Sequence, residues 1–286
     1  MPCKYLITGR SGQLAGAFIE KFESESADYL APDEAECSIT DQEKIDKIVS
    51  AYRPDVIINC AAYNLVDKAE QDQETAYRVN TKGPGILADA ASKHGAFFVH
   101  YGSDYVFDGT KDSALYIESD TVNPLNVYGK SKLAGEDAVL STGDRCLVLR
   151  LSWVFGTGRQ NFINKLLEWS RQNEYLKITC DEFSVPTYTD MVVDVTLRAL
   201  EQRLTGIYHL TNSGFCSRYE WARFIFDKKG IRKFIRPVTM DAFPLPAKRP
   251  KFSAMSSERI SKLLKMQIPA WEEATEAFLN KEMVHV

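Results

Sequence analysis

Apolar residues along this chain alternate between two patterns. Short continuous runs such as Tyr5-Leu6-Ile7 are separated by stretches in which apolar positions recur at helical spacing. Continuous runs read as strands buried on both faces, and the 3.6-residue repeat reads as helix. Lys4 to Ile7 opens the series; a glycine turn over Thr8 to Gly16 leads into the helix-like Ala17 to Phe22. Tyr29 to Pro32 reads as a second strand. Thr40-Asp41-Gln42-Glu43 has the form of a capping box and opens a helix in which Ile45, Ile48, Val49 and Tyr52 share a face. Pro54 stops that helix, and Asp55 to Ala62 reads as a buried parallel strand. A polar loop over Tyr63 to Glu70, a helix through Val79 and Asn80, a helix from Gly85 to His94 and a strand from Ala96 to His100 follow.

The second half continues the alternation. Cys146 to Leu151 is a strand and Gly156 to Gln160 a short loop. Asn161 to Ser170 is a helix with Phe162, Leu166 and Trp169 on one face. Lys177 to Cys180 is a strand, and Asp190 to Arg203 followed by Gly206 to Leu210 is one more helix and strand. Strands alternating with helices give a right-handed parallel sheet covered on both faces. The fold class expected is therefore α/β, a Rossmann-like doubly wound parallel sheet with a smaller C-terminal α/β substrate-binding part. Residues 1–154, with about 186–212, form the nucleotide-binding domain; about 155–185 and 213–286 form the smaller part, including helices over Tyr219 to Lys229 and Ser257 to Lys265.

Composition narrows the class. With 286 residues, 44% hydrophobic and 26% charged, the chain suits one large globular domain or a nucleotide-binding domain with a smaller partner. No apolar run approaches the ~20 residues that a membrane helix needs. Met1-Pro2-Cys3-Lys4 leads straight into a strand, which argues against a secretory signal. Six scattered cysteines without paired spacing suit reduced thiols in a cytoplasm and argue against a zinc site. A net charge of −4 offers no general attraction to nucleic acid. His94, His100, His209 and His285 carry no metal-ligand spacing.

Two stretches carry chemistry. In the first turn Gly9 permits a tight bend and Gly12 a close approach of backbone to a pyrophosphate, with the following helix presenting its N-terminus to that anion. The spacing is G-x-x-G-x-x-A, with the small Ala15 in the third position. Asp33 after the second strand would hydrogen-bond a ribose 2′-hydroxyl, whereas Arg10 would pair with a 2′-phosphate, so NADH and NADPH both stay open. The second stretch is Tyr128-Gly129-Lys130-Ser131-Lys132. Residues four apart share a helix face, and an ammonium beside a phenol lowers its pKa into a useful range. Ser103, at the end of a preceding strand, would hold a reacting oxygen against Tyr128.

These stretches, taken in order with four others, resemble the extended short-chain dehydrogenase/reductases, and within them the dTDP-4-dehydrorhamnose reductases. The resemblance runs through Thr8–Ala15, Asn59–Glu70, Gly102–Thr110, Pro124–Glu136, Arg150–Gly156 and Lys248–Pro250. It implies that Tyr128 is the proton donor, Lys132 its partner and ribose anchor, and Ser103 the hydroxyl on the C4 oxygen. It further implies a dinucleotide held by Gly9, Arg10, Ser11, Gly12, Gln13, Leu14, Asp33, Ala61, Ala62, Tyr63 and Asn80, and by Ser38 and Ile39 near the adenine. Ser38 departs from the acidic residue that many relatives carry there. Val66, Tyr105, Asp104 and Trp153 would face a dTDP-linked 4-keto-6-deoxysugar, and Arg249 its diphosphate. The implied activity is NADPH- or NADH-dependent reduction at C4 in a cytoplasmic enzyme, as monomer or homodimer, with neither membrane nor nucleic-acid partner. Some relatives dimerise through magnesium; Gly16-Ala17-Phe18 lacks the acid for that, so no metal is expected. Two rivals stand beside this reading: a non-catalytic regulatory subunit resembling the methionine adenosyltransferase beta subunit, and another nucleotide-sugar epimerase, dehydratase or reductase.

Overall fold

The computed structural model describes residues 3–112, 114–158 and 161–284. The expectations for Met1-Pro2, His285 and the end of the loop at Arg159-Gln160 lie outside the described residues. In chain order the first half runs β1 (Lys4–Thr8), α1 (Gln13–Glu25), β2 (Asp28–Leu30), α2 (Gln42–Tyr52), β3 (Val56–Asn59), α3 (Val66–Ala69), α4 (Gln73–Tyr77), α5 (Gly83–His94), β4 (Phe97–Ser103) and α6 (Val127–Leu140). The second half runs β5 (Cys146–Leu151), β6 (Val154–Phe155), α7 (Phe162–Gln172), β7 (Leu176–Thr179), β8 (Phe183–Ser184), β9 (Thr187–Tyr188), α8 (Thr189–Glu201), β10 (Gly206–His209), β11 (Cys216–Ser217), α9 (Arg218–Lys228), β12 (Ile235–Val238), α10 (Glu258–Leu264) and α11 (Trp271–Val284).

A six-stranded parallel sheet in the order β10-β5-β4-β3-β1-β2 forms the main body. Successive residues of a strand point to opposite faces, and here both faces are apolar. Ile7, Ile58, Val99 and Leu149 pack one way, against Phe18 and Phe22 of α1 and Val192 of α8. Their neighbours Leu6, Ile57, Phe98 and Val148 pack the other way, against Ile45 and Val49 of α2 and Leu87 of α5. The strand order reverses direction between β1 and β3, which opens a crevice at the carboxyl ends of those strands. A second core around Phe155, Trp221, Ile225 and Phe278 holds the smaller part together.

Several local expectations are corrected. Asp41, not Thr40, caps α2, its carboxylate accepting the Lys44 amide at 3.1 Å, so the box with Glu43 does not form. The third strand ends at Asn59 instead of Ala62, because the Asn59 side chain accepts the Ala61 amide and turns the chain out of the sheet. The loop over Tyr63 to Glu70 contains α3. The separate helices through Val79 and from Gly85 are one rod, joined by a π-turn over Arg78–Lys82. β4 runs on through Ser103. Helix α10, assigned by its position to the substrate part, instead packs Ile260 and Leu264 into the core on the main sheet. On α7 the buried face is Ile163 and Leu166; Phe162 and Trp169 meet edge-to-face and line a cleft.

Candidate active site

The turn after β1 has the geometry a dinucleotide needs. Gly9 has φ +75°, and a Cβ there would stand 2.6 Å from the Ala61 nitrogen, so only glycine lets this turn pass the end of β3. The Gly12 amide closes the turn onto the Gly9 carbonyl at 2.8 Å. Helix α1 begins with no side-chain cap, which leaves its first-turn N–H groups facing the crevice as an anion site. Ser11 is exposed beside it, and Leu14 is buried against the sheet. The Gln13 side chain reaches across to Asn161, the cap of α7, accepting its amide at 3.2 Å, and ties the turn to the smaller part.

Further along the crevice, Arg10 donates to the Ala31 carbonyl at 3.2 Å and so lies across the end of β2. Asp33 is turned away, accepting the Glu36 amide at 2.9 Å. Ser38 bonds Thr40, and Ile39 is buried against Gly83. Ala61 and Ala62 edge the crevice half-buried. Tyr63 is clamped through its backbone by Asn80, which accepts the Tyr63 amide at 2.8 Å and donates to its carbonyl at 3.1 Å. Asn80 sits in the π-turn and is 1% exposed. A π-turn re-aims one side chain inward, and here it aims Asn80 at Tyr63 and at Ser131 of α6.

Helix α6 sets the reactive group. Asn126 caps it by accepting the Gly129 amide at 2.8 Å, and Gly129 passes so near the Tyr105 carbonyl that a Cβ would lie 2.3 Å away. One turn of helix brings Tyr128 and Lys132 to the same side. Tyr128 is half-buried and edge-on to the Tyr105 ring at 5.6 Å, with Ser103 among the groups that act on its phenol. Lys132 is 3% exposed and donates to the Tyr101 carbonyl at 2.6 Å. Burial pushes the Tyr128 phenol up to about 12, with the Ser103 hydrogen bond pulling down and the Asp104 charge pushing up. Burial lowers Lys132 to about 8, against the Glu136 carboxylate, which favours its charged form. The expected pairing is thus modified. Lys132 and Tyr128 share a helix face, yet the ammonium binds a backbone carbonyl, and the group that lowers the phenol is Ser103.

Asp104 does not face the cleft as expected. It is 3% exposed, accepting from Ser103 at 3.2 Å, Ser184 at 2.9 Å and Ser253 at 2.6 Å. Burial raises its carboxyl to about 6, and the three serine hydroxyls oppose that rise. Asp104 therefore anchors Ser103 and joins the end of β4 to β8 and to the segment at Ser253. Neither serine partner is marked in the sequence by any motif.

Val66, Tyr105, Trp153 and Arg249 do come together, lining a cleft of about 1530 Å³ between the two parts of the molecule. Trp153 has φ +38°, an unusual backbone for a bulky residue, and its ring stacks on Trp221 at 6.0 Å. The expected apolar wall for a sugar is covered: the Arg218 guanidinium lies 3.5 Å from the Trp153 ring centroid. Sequence reasoning passed over Arg218, although Ser217 and Glu220 around it spell the capping box that starts α9. Arg249 is engaged elsewhere, donating to both oxygens of Asp67 at 3.1 and 2.7 Å. Asp67 also accepts the Ala247 amide at 3.2 Å, and Asn126 donates to the Lys248 carbonyl at 2.8 Å. These bonds fasten a strap over residues 239–251 across one side of the cleft. Among the described residues, no three His, Cys, Asp or Glu side chains gather into a metal-binding group. No helix among them is long and apolar enough to cross a membrane.

Known proteins share this fold and sequence over nearly the whole chain. The chain is 35% identical to a dTDP-4-dehydrorhamnose reductase of Aggregatibacter actinomycetemcomitans, over 95% of this chain and 96% of that protein. It superposes with a TM-score of 0.94 on a dTDP-4-dehydrorhamnose reductase of Clostridium acetobutylicum, at 33% identity and covering 99% of this chain and 100% of that one. The Bacillus anthracis reductase, solved in complex with NADP, gives the same TM-score of 0.94 at 32% identity, covering 98% of this chain and 100% of that one. The family model described as the RmlD substrate binding domain matches residues 3–284, and the chain belongs to that family.

Proposed function

We propose that this protein reduces the C4 keto group of dTDP-4-dehydro-L-rhamnose to give dTDP-L-rhamnose, a precursor for cell-surface polysaccharide, using NADPH or NADH. The observation that carries this reading is one convergence. Tyr128 and Lys132 stand one helical turn apart on α6, and Tyr128 meets edge-on the ring of Tyr105, which lines the cleft. Membership of the family supports it.

The residues fit a dinucleotide: the uncapped N-terminus of α1, the glycine at position 9 that a Cβ would block, and the cationic Arg10 at the end of β2. Gly9 to Leu14 would hold the pyrophosphate, with Ala61, Ala62 and Tyr63 along its middle, Ser38 and Ile39 by the adenine, and Lys132 on the ribose. Arg10, directed across β2 while Asp33 turns away, favours the 2′-phosphate of NADPH. When bound, the reduced nicotinamide supplies the hydride. The chain's own residues do the rest. Ser103 holds the carbonyl oxygen, Tyr128 gives its phenolic proton to that oxygen as negative charge develops, and the buried Lys132 ammonium, one turn along the same helix and held on the Tyr101 carbonyl, adds positive charge to the site. Asp104 keeps Ser103 in place. Burial keeps Tyr128 protonated at neutral pH, which suits a proton donor. A cytoplasmic setting accords with six free thiols.

The test is a coupled assay. Supplied with dTDP-4-keto-6-deoxyglucose and the 3,5-epimerase, the protein should oxidise NADPH, and oxidation should stop when the epimerase is left out. Intact coenzyme binding without oxidation of either coenzyme would refute the reading.

A further inference from the structure

The cleft contains two guanidinium groups in opposite states. Arg249 is held by three hydrogen bonds, with both Asp67 oxygens and the Ala247 carbonyl at 3.0 Å accepting from it. An arriving anion would have to displace a bidentate carboxylate, which is a strong competitor. Arg218 has the reverse arrangement. Its guanidinium lies flat on Trp153 at 3.5 Å, with Phe162 at 5.2 Å and Trp221 at 5.9 Å. Its nearest acid, Glu182, stands 3.8 Å from Nε, beyond hydrogen-bonding distance. Stacking on Trp153 covers a face of the group, and its edge N–H donors make no hydrogen bond among the described residues in a side chain that lines the cleft. A guanidinium held flat with open edges is preorganised to grip an oxyanion with two parallel hydrogen bonds. The surroundings favour an anion as well: six cationic and four acidic side chains line this cleft, in a chain whose net charge is −4.

We infer that Arg218 takes the diphosphate of the substrate, and that Trp153 and Phe162 serve as the platform that holds its guanidinium in plane. This inference rests on the nucleotide-sugar reading above. It assigns the anion contact to a side chain different from the one that the sequence suggested, and it makes Trp153 a support for Arg218 instead of a wall for the sugar.

The test compares dTDP with thymidine by isothermal titration, on the full-length protein and on Arg218→Gln and Arg218→Lys. NADPH binding and melting temperature serve as checks on folding. Loss of a charge-assisted bidentate contact should weaken dTDP binding at least ~10-fold in Arg218→Gln and leave thymidine binding unchanged. Arg218→Lys should recover only part of that loss, because an ammonium lacks the planar fork. Unchanged dTDP affinity in a folded Arg218→Gln would overturn the inference, as would a raised KM for the keto-sugar with dTDP affinity intact. A wild-type protein that reduces a sugar yet does not bind dTDP would remove the nucleotide reading itself, and this assignment with it.

Discussion

At the end of the crevice proposed for the dinucleotide, one turn between Thr8 and Gln13 offers a surface of consecutive backbone groups. At the substrate end, the wall around Trp153 is assembled from the segments after β4 and β5, α7, β7, α9 and the 239–251 strap. The first kind of site depends on what is absent, a Cβ at Gly9 and a cap on α1. The second depends on long side chains meeting across the fold, as Arg249 meets Asp67 and Arg218 meets Trp153. Substitutions should therefore fail in different ways at the two ends.

The largest effect is expected at the turn. Gly9→Val places a branched side chain against the Ala61 backbone at a positive φ, with a strain of roughly 1–3 kcal/mol before any clash is counted. NADPH binding, followed by fluorescence titration, should fall below detection and turnover should fall with it. Wild-type affinity in that variant would break the comparison.

Lys132→Met comes next, with turnover reduced at least ~100-fold and stability moving the other way. The Lys132 proton leaves at about 8 in the folded protein, against a reference of 10.5, so between those values the unfolded chain holds more protons. The wild type bears the full burden of a buried charge at pH 7 and is relieved of it as pH rises through that window. The variant should melt higher than wild type at pH 7, and its advantage should shrink above pH 8. A variant that melts lower at pH 7 would contradict the burial argument.

Asp67→Asn should have the smallest effect. The Asp67 side chain is 35% exposed, and the pair should contribute no more than about 1 kcal/mol to stability. The Arg249 hydrogen bonds hold the Asp67 carboxyl below its usual range, so the contribution stays full at neutral pH and is lost only in acid. NADPH affinity should be unchanged, while limited proteolysis within 239–251 should accelerate. A strap as resistant as in wild type would show that Asp67 is not its fastening.

The same contrast explains what could be read in advance. The parallel sheet and the glycine turn were legible because each depends on residues close together in sequence: Leu6 beside Ile7, Gly9 near Gly12. Tyr128 and Lys132 were legible because four residues make one helical turn. The strand reading of Asp55–Ala62 overran because Asn59 spends its side chain on its own chain two residues later. Asp104 was misplaced because the serines that bury it, Ser184 and Ser253, are distant in sequence and carry no pattern. Arg249 stands in a basic loop that suggested an anion, and nothing local announces that Asp67 occupies it. Helix α11 was passed over, although Trp271 follows Pro269 and acidic residues fill its first turn.

The central claim is that Tyr128 gives the proton while other residues hold the coenzyme. It is tested most directly by single-turnover oxidation of NADPH in Tyr128→Phe, with NADPH affinity measured on the same sample. The account predicts unchanged affinity and a rate at least ~100-fold slower. A rate near that of the wild type, with the coenzyme bound, would show that the proton comes from another group.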